Sequence, residues 1–256
     1  MRIIGTLYGQ RLRQTEGLIE SIVELMGLSL LVPDFSTLSR RMEDVEIPDL
    51  SNMLKTDETV NVIIDSTGLK IFGTGEWYEC KYNLKKRKGW RKLHVVIDRE
   101  TQKIIASELT TQDVGDVTAL PELLNKVHQK IATVTADGAY DIEQVYKNIA
   151  SIDAVAIIPP KENAALTDNC IKNIPNRAAN INSIHALGRQ EWQKISGYNW
   201  RSLVETTMCR YKKIMGTIVY SKKLAHQKNE AKIGCYILNK LTEYAMPETF
   251  KIRASN

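Results

Sequence analysis

From Val60 onward the apolar positions fall into short runs that change period along the chain. VNVIIDSTGLKIF reads as a β-branched strand running into Asp65, and KLHVVIDRE and KIIASELT read as two more strands about a turn at Arg99 to Gln102. Three consecutive strands predict an antiparallel meander. VTALPELLNKVHQKI then carries helical spacing, ATVTAD reads as a strand ending at Asp137, and DIEQVYKNIA as a second helix. AVAIIPP is a short buried strand stopped by Pro159 and Pro160. A polar segment from Lys161 to Gly197 leads into a long helix beginning near Asn199. The order βββ-α-β-α-β-x-α predicts the α/β class, a mixed five-stranded sheet flanked by helices. Such a sheet places ligands at the carboxyl ends of its parallel strands.

Upstream, Leu12, Leu18, Ile19, Ile22, Val23 and Met26 recur at helical spacing, with Gly27 as a stop. Asp34 is placed to cap a short helix from Phe35 to Met42. With Arg40 and Arg41 on the second helix, the pair fits a helix-turn-helix, and it fits any two packed helices equally well. Pro48 to Thr59 reads as a polar linker. The chain thus divides into a small helical N-terminal segment with its linker (1–59), a main domain (60–245) and a tail (246–256).

Composition narrows the class. A chain that is 43% hydrophobic and 25% charged is a folded one. No apolar run approaches the roughly 20 residues that span a bilayer, and no secretory signal is visible. Cys80, Cys170, Cys209 and Cys235 form no Cys-x-x-Cys pair, which argues against a zinc or disulfide framework and for a soluble protein of the reducing cytoplasm. The net charge of +5 hides a segregation. Residues 81–92 (KYNLKKRKGWRK) hold 7 basic side chains and no acidic one, and residues 161–256 hold 16 against 7. Aromatic residues interleave both blocks (Tyr82, Trp90, Trp192, Tyr198, Trp200, Tyr211), a combination that suits a phosphate backbone. A solvated loop between two strands would account for Lys85 to Lys92 equally well.

Asp65 and Asp137 each close a strand before a small, turn-prone stretch. Two carboxylates at adjacent strand ends repel unless a divalent cation lies between them, and open oxygen ligands of this kind suit Mg²⁺ or Mn²⁺. An isolated Asp closing a strand is otherwise a turn former. In YNWRSLVETTMCRYK, with Glu205 at zero on a helical wheel, Tyr198, Arg201 and Lys212 fall at about +20°, −40° and −20°. They form one polar stripe beside an apolar face of Trp200, Val204, Met208, Tyr211 and Met215. A surface i,i+4 pair would explain Arg201 and Glu205; a metal-binding Glu set between two phosphate-binding cations would explain the whole stripe.

Tyr198-x2-Arg201-x3-Glu205-x6-Lys212 resembles, without a gap, the signature of DDE-type insertion-sequence transposases, and Asp65 in IIDST and Asp137 in TADGAYD stand where that family has its two aspartates. LRQTEGL, PDFSTLSRR, GWRKLHVVID and VGDVTALPELL are similar to the insertion-sequence-five group in particular. The resemblance runs from Leu12 to Thr242. It implies an RNase H-like DDE catalytic domain over 60–245, with Asp65, Asp137 and Glu205 catalytic and holding two Mg²⁺ ions, for which Mn²⁺ can substitute. It further implies that Arg201 and Lys212 hold phosphates near the scissile bond, that Tyr198 contacts the strand end, and that Arg91 and Lys92 touch transposon-end or target DNA. His94, on the inner side of a strand, is expected to pack.

The implied activity is cleavage and strand transfer at the terminal inverted repeats of an insertion sequence, without a covalent enzyme–DNA intermediate. The implied partners are double-stranded DNA (transposon ends and target) and a second copy in a homodimeric synaptic complex, at the nucleoid of a bacterial cytoplasm. Neither a membrane nor a small-molecule substrate is expected. Only eleven residues precede Leu12, where transposases of this group carry a longer stretch of the region that recognises terminal inverted repeats, so residues 1–59 are expected to be a partial helix-turn-helix for DNA-end binding, shortened at its N-terminus. A non-catalytic DNA-binding remnant, or an inhibitor of a full-length transposase, is the alternative.

Overall fold

A computed structural model describes residues 1–54, 59–73 and 89–245. Most of the basic block at 81–92 and the tail at 246–256 lie outside the described residues. Three strands form the meander: β1 (Val60–Ile71), β2 (Trp90–Asp98) and β3 (Ile104–Thr111). They are followed by α4 (Asp116–Asn125), β4 (Ile131–Thr135), α5 (Glu143–Ala150) and β5 (Val155–Ile157), the helix numbers continuing from α1 (Arg2–Leu7), α2 (Leu12–Leu25) and α3 (Phe35–Arg40). The sheet order is β3-β2-β1-β4-β5, with β2 antiparallel to β1 and β3, and β4 and β5 parallel to β1. This is the RNase H-like arrangement.

The period-2 pattern sorts the side chains onto two faces. Val62, Ile64, Val96 and Val134 pack under α4 and α5, against Leu120, Leu123, Val145 and Ile149. Ile63, Leu93, Val95, Ile97 and Leu109 face the other way, toward α9 (Ser202–Met215) and α10 (Leu224–Ala245), and meet Val204, Met208, Tyr211, Cys235 and Leu238. The N-terminal helices lie outside α10, where Met42 packs on Ile233 and Ile237. Asp34 caps α3 as its position predicts, accepting from Ser36 and Thr37 N–H.

Four expectations change. A sixth strand, β6 (Ile218–Val219), pairs with Lys70 and Ile71 of β1, so the sheet has six strands, and two residues are too few to register as a period. Strand β1 does not stop at Asp65 but continues to Ile71, because β2 pairs with it through Lys70. The stretch read as a polar linker buries Leu50, Ser51, Met53 and Leu54, with Leu50 and Met53 in the core on one face of the sheet and Leu54 in the core on the other.

The polar segment before Gly197 is helical: α6 (Asp168–Asn173), α7 (Pro175–Leu187) and α8 (Arg189–Ile195). Helix α7 shields an edge of the sheet. Asn176 Oδ1 accepts from Ala156 N–H at 2.6 Å, and Asn180 donates to Ala156 C=O at 3.1 Å. At the opposite edge Asn239 of α10 grips both backbone groups of Ile104, at 2.8 and 2.7 Å. Helix-borne amides thereby satisfy edge groups that would otherwise template another strand.

Candidate active site

Strands β1 and β4 are in parallel register at Ile63 and Thr135. Asp65 and Asp137 each lie two residues beyond that pair, so period 2 sends both carboxylates to the face covered by α9. Pairing of β1 with β4 ends at Ile63 and pairing with β6 begins at Lys70. Among the described residues the intervening edge of β1 carries no strand, and Asp65 sits on this open stretch. Asp65 Oδ1 accepts from Ser66 N–H at 2.8 Å, and Asp137 caps the turn Gly138–Tyr140 by accepting from Ala139 N–H at 2.9 Å. Burial pushes the Asp65 carboxyl above its ordinary range, and the charges of Asp137 and Glu205 push the same way against the pull of the Ser66 N–H and Arg201.

The third carboxylate comes from a helix. Gly197, in the left-handed region at φ 75°, opens a single 3₁₀ turn, Tyr198–Arg201, that runs into α9. Val204, Met208 and Tyr211 bury the apolar face, which leaves Glu205 exposed on the polar stripe. Arg201 hydrogen-bonds Glu205 one turn on and also stands 3.5 Å from Asp65 Oδ2. One guanidinium therefore bridges two of the three predicted acids.

Tyr198 lies half-buried with its ring 5.6 Å from that of Trp192. Burial raises its phenol above the usual value. Lys212, two turns beyond Glu205, makes no ion pair among the described residues. Arg91 shares the α9 face of the sheet but is tied down, donating to Gln227 Oε1 at 2.7 Å. Lys92 points to the opposite face, where its Nζ lies 3.5 Å from Asp116. His94 is buried on that face too, between Thr110 (2.9 Å) and Asp116 (3.4 Å), and burial lowers its basicity. It packs, as its place in the strand predicts.

Sequence reasoning missed Asp141. Its side chain is fully buried and takes two bonds from Arg177 of α7, Nε to Oδ1 at 2.7 Å and Nη2 to Oδ2 at 2.9 Å. Lys161 N–H (3.0 Å) and the Tyr146 hydroxyl (3.1 Å) complete the set. Burial alone would raise this carboxyl, but these donors hold it below the usual range. The cluster fastens the helical insertion four residues from Asp137. The only trace in the sequence is a second Asp in TADGAYD; its partner lies in a segment without readable periodicity.

The oxygen donors fit a hard divalent cation, and the bridging guanidinium shows that the gap between Asp65 and Glu205 accepts positive charge. Among the described residues no three His, Cys, Asp or Glu side chains converge on one metal position, and Glu205 is engaged by Arg201 instead.

Comparison with known proteins gives two family matches, each described as Transposase DDE domain, over residues 57–240 and 1–74. Among solved structures, the chain is similar to a piggyBac transposase synaptic complex with hairpin DNA (13% identity, TM-score 0.42), over 72% of this chain and 48% of that one. It is also similar to the Drosophila P element transposase strand transfer complex (11% identity, TM-score 0.30), over 83% and 74%. The chain spans about half the length of the piggyBac transposase chain.

Proposed function

The chain belongs to the family of transposases with a DDE domain, and from that premise we propose that it cleaves DNA at the terminal inverted repeats of an insertion sequence and transfers the freed strand to target DNA. The observation that supports this reading is the placement of Asp65 and Asp137 two residues beyond a paired register on one face of the sheet, with Arg201 bridging Asp65 to Glu205. Transposases of this family use divalent metal ions. Here Asp65 and Asp137 would hold Mg²⁺, and Glu205 would complete a two-ion site, with Mn²⁺ able to substitute. Ions bound there would activate a water or the DNA 3′-hydroxyl as nucleophile and stabilise the departing oxygen.

The protein's own part is positioning. Arg201 and Lys212 bind phosphates beside the scissile bond, and Arg201 gives up Glu205 as it takes a phosphate. Tyr198, held on Trp192, meets the strand end, and Arg91 contacts DNA from the neighbouring strand. Lys92, on the far face of the sheet, would reach DNA only from the α4 side. The reading includes a homodimer in the synaptic complex and a place at the bacterial nucleoid. Among the described residues no helix is long and apolar enough to cross a membrane.

The test is cleavage of an inverted-repeat duplex with Mg²⁺ by the chain and by Asp65→Asn and Glu205→Gln. Cleavage by the native chain and none by either variant is the expected result. Equal cleavage by a variant would remove that residue from the site, whereas DNA binding without cleavage by the native chain would favour the non-catalytic alternative.

A further inference from the structure

A second feature lies away from the three carboxylates. A cavity of about 650 Å³ opens between α1, the start of α2, and the turn joining β6 to α10. Four cations line it: Arg2, Arg11, Lys222 and Lys223. Its one carboxylate, Glu230, is committed to the Tyr220 and Ser221 N–H groups at 2.8 Å each. His226 on the same wall faces Glu43 at 3.6 Å. Among the described residues none of the four cations forms an ion pair, and Arg2 Nε is buried with no hydrogen-bond partner. Burial lowers the Arg2 guanidinium below its ordinary value, with the charge of Glu230 pulling the other way.

Two features point to an anion, and the first of them to a polymeric one. Arg11 is pre-positioned, its guanidinium 3.5 Å above the Tyr220 ring, and Tyr220 in turn lies 5.1 Å from the exposed Phe72. The pair offers an apolar platform at the rim. The 22-residue α10 starts at Leu224 with no acid in its first turn, so its positive end adds to the field.

We propose that the DNA backbone runs across this cavity, with Arg2, Arg11, Lys222 and Lys223 as the cations for its successive phosphodiesters. The inference rests on DNA as the substrate and adds a contact remote from the cleaved bond. β6 pairs with β1 at Lys70, five residues beyond Asp65, which is about 17 Å along the strand. At 3.4 Å per base pair that is about five base pairs of duplex.

Binding of a fluorescent duplex by the full chain, followed by polarisation from about 50 to 200 mM salt, tests it. The slope of log K against log salt is expected to fall by about two for Lys222→Ala/Lys223→Ala, and by about one more when Arg11→Ala is added. Removing two exposed lysines outside both basic blocks, Lys130→Ala/Lys147→Ala, is expected to leave it unchanged. A pocket variant with the native slope overturns the inference even if the native chain binds and cleaves DNA. Inorganic phosphate that shifts the pocket's NMR signals, alongside an unchanged slope, would make it a small-anion site and overturn the DNA assignment. A reduced slope with no cleavage by the native chain would leave the pocket standing and sink the catalytic reading instead.

Discussion

Arg201 and Asp65 lie 136 residues apart in sequence, and Arg201 Nη1 stands 3.5 Å from Asp65 Oδ2. The same side chain holds Glu205, so the protein supplies its own cation where its carboxylates approach one another. That relationship makes the charge state of Asp65 the most direct reporter of the site.

Arg201→Ala is expected to push the Asp65 carboxyl still higher. Burial already raises it, with Asp137 and Glu205 adding repulsion, and Arg201 is one of the two groups pulling it down. The measurement is the ¹³C titration of the Asp65 carboxyl in metal-free protein. A downward move would contradict the bridge.

Asp65→Asn is expected to raise the metal-free melting temperature near neutral pH while abolishing cleavage. A carboxyl raised by folding is disfavoured as an anion, so above its folded pKa the charge costs stability and a neutral amide relieves that cost. The amide oxygen still accepts from Ser66 N–H. Metal should act in the opposite sense. At 100 times its dissociation constant Mg²⁺ would stabilise the native chain by about 2.7 kcal/mol and leave Asp65→Asn nearly unaffected, as read by thermal melting.

Arg177→Ala leaves the Asp141 carboxylate buried without its ion partner, a change expected to cost about 3–5 kcal/mol in chemical denaturation. Because folding lowers the Asp141 pKa, its contribution is present above the ordinary carboxylate value near 3.9 and is lost as pH falls through the lowered one. The native chain should therefore lose stability in that acid window, and Arg177→Ala should flatten the dependence.

Gly234→Ala would bring a methyl within 2.8 Å of the Tyr211 ring, where α10 crosses α9. The crowding is expected to cost about 1–3 kcal/mol. Since α9 also carries Glu205, cleavage should fall more than DNA binding does.

The sheet was legible wherever a period could show itself. Alternating β-branched runs marked the three meander strands, and the end of ATVTAD put Asp137 just past β4. The 3.6-residue period placed Arg201 and Glu205 on one stripe, and it buried Val204, Met208 and Tyr211 together. Trp200 departed from that face, exposed on the 3₁₀ turn whose tighter winding shifts it off the α-helical wheel.

Periodicity reports only what a segment does by itself. Helix α7 escaped because it buries little beyond Ala178 and Ile181, and is held by Asn176, Asn180 and Arg177, polar residues whose partners are distant in sequence. The extent of β1 depended on β2 and β6, strands that pair with it from elsewhere. The same holds for Lys92, adjacent to Arg91 yet turned to the other face by the pleat. The sequence alone determined which residues are acidic, which are apolar and how they repeat, since those follow from side-chain chemistry and local backbone geometry. Tertiary structure alone decided that Asp65 and Glu205 share one arginine and that four cations share one cavity, because packing brings together charges that no local period connects.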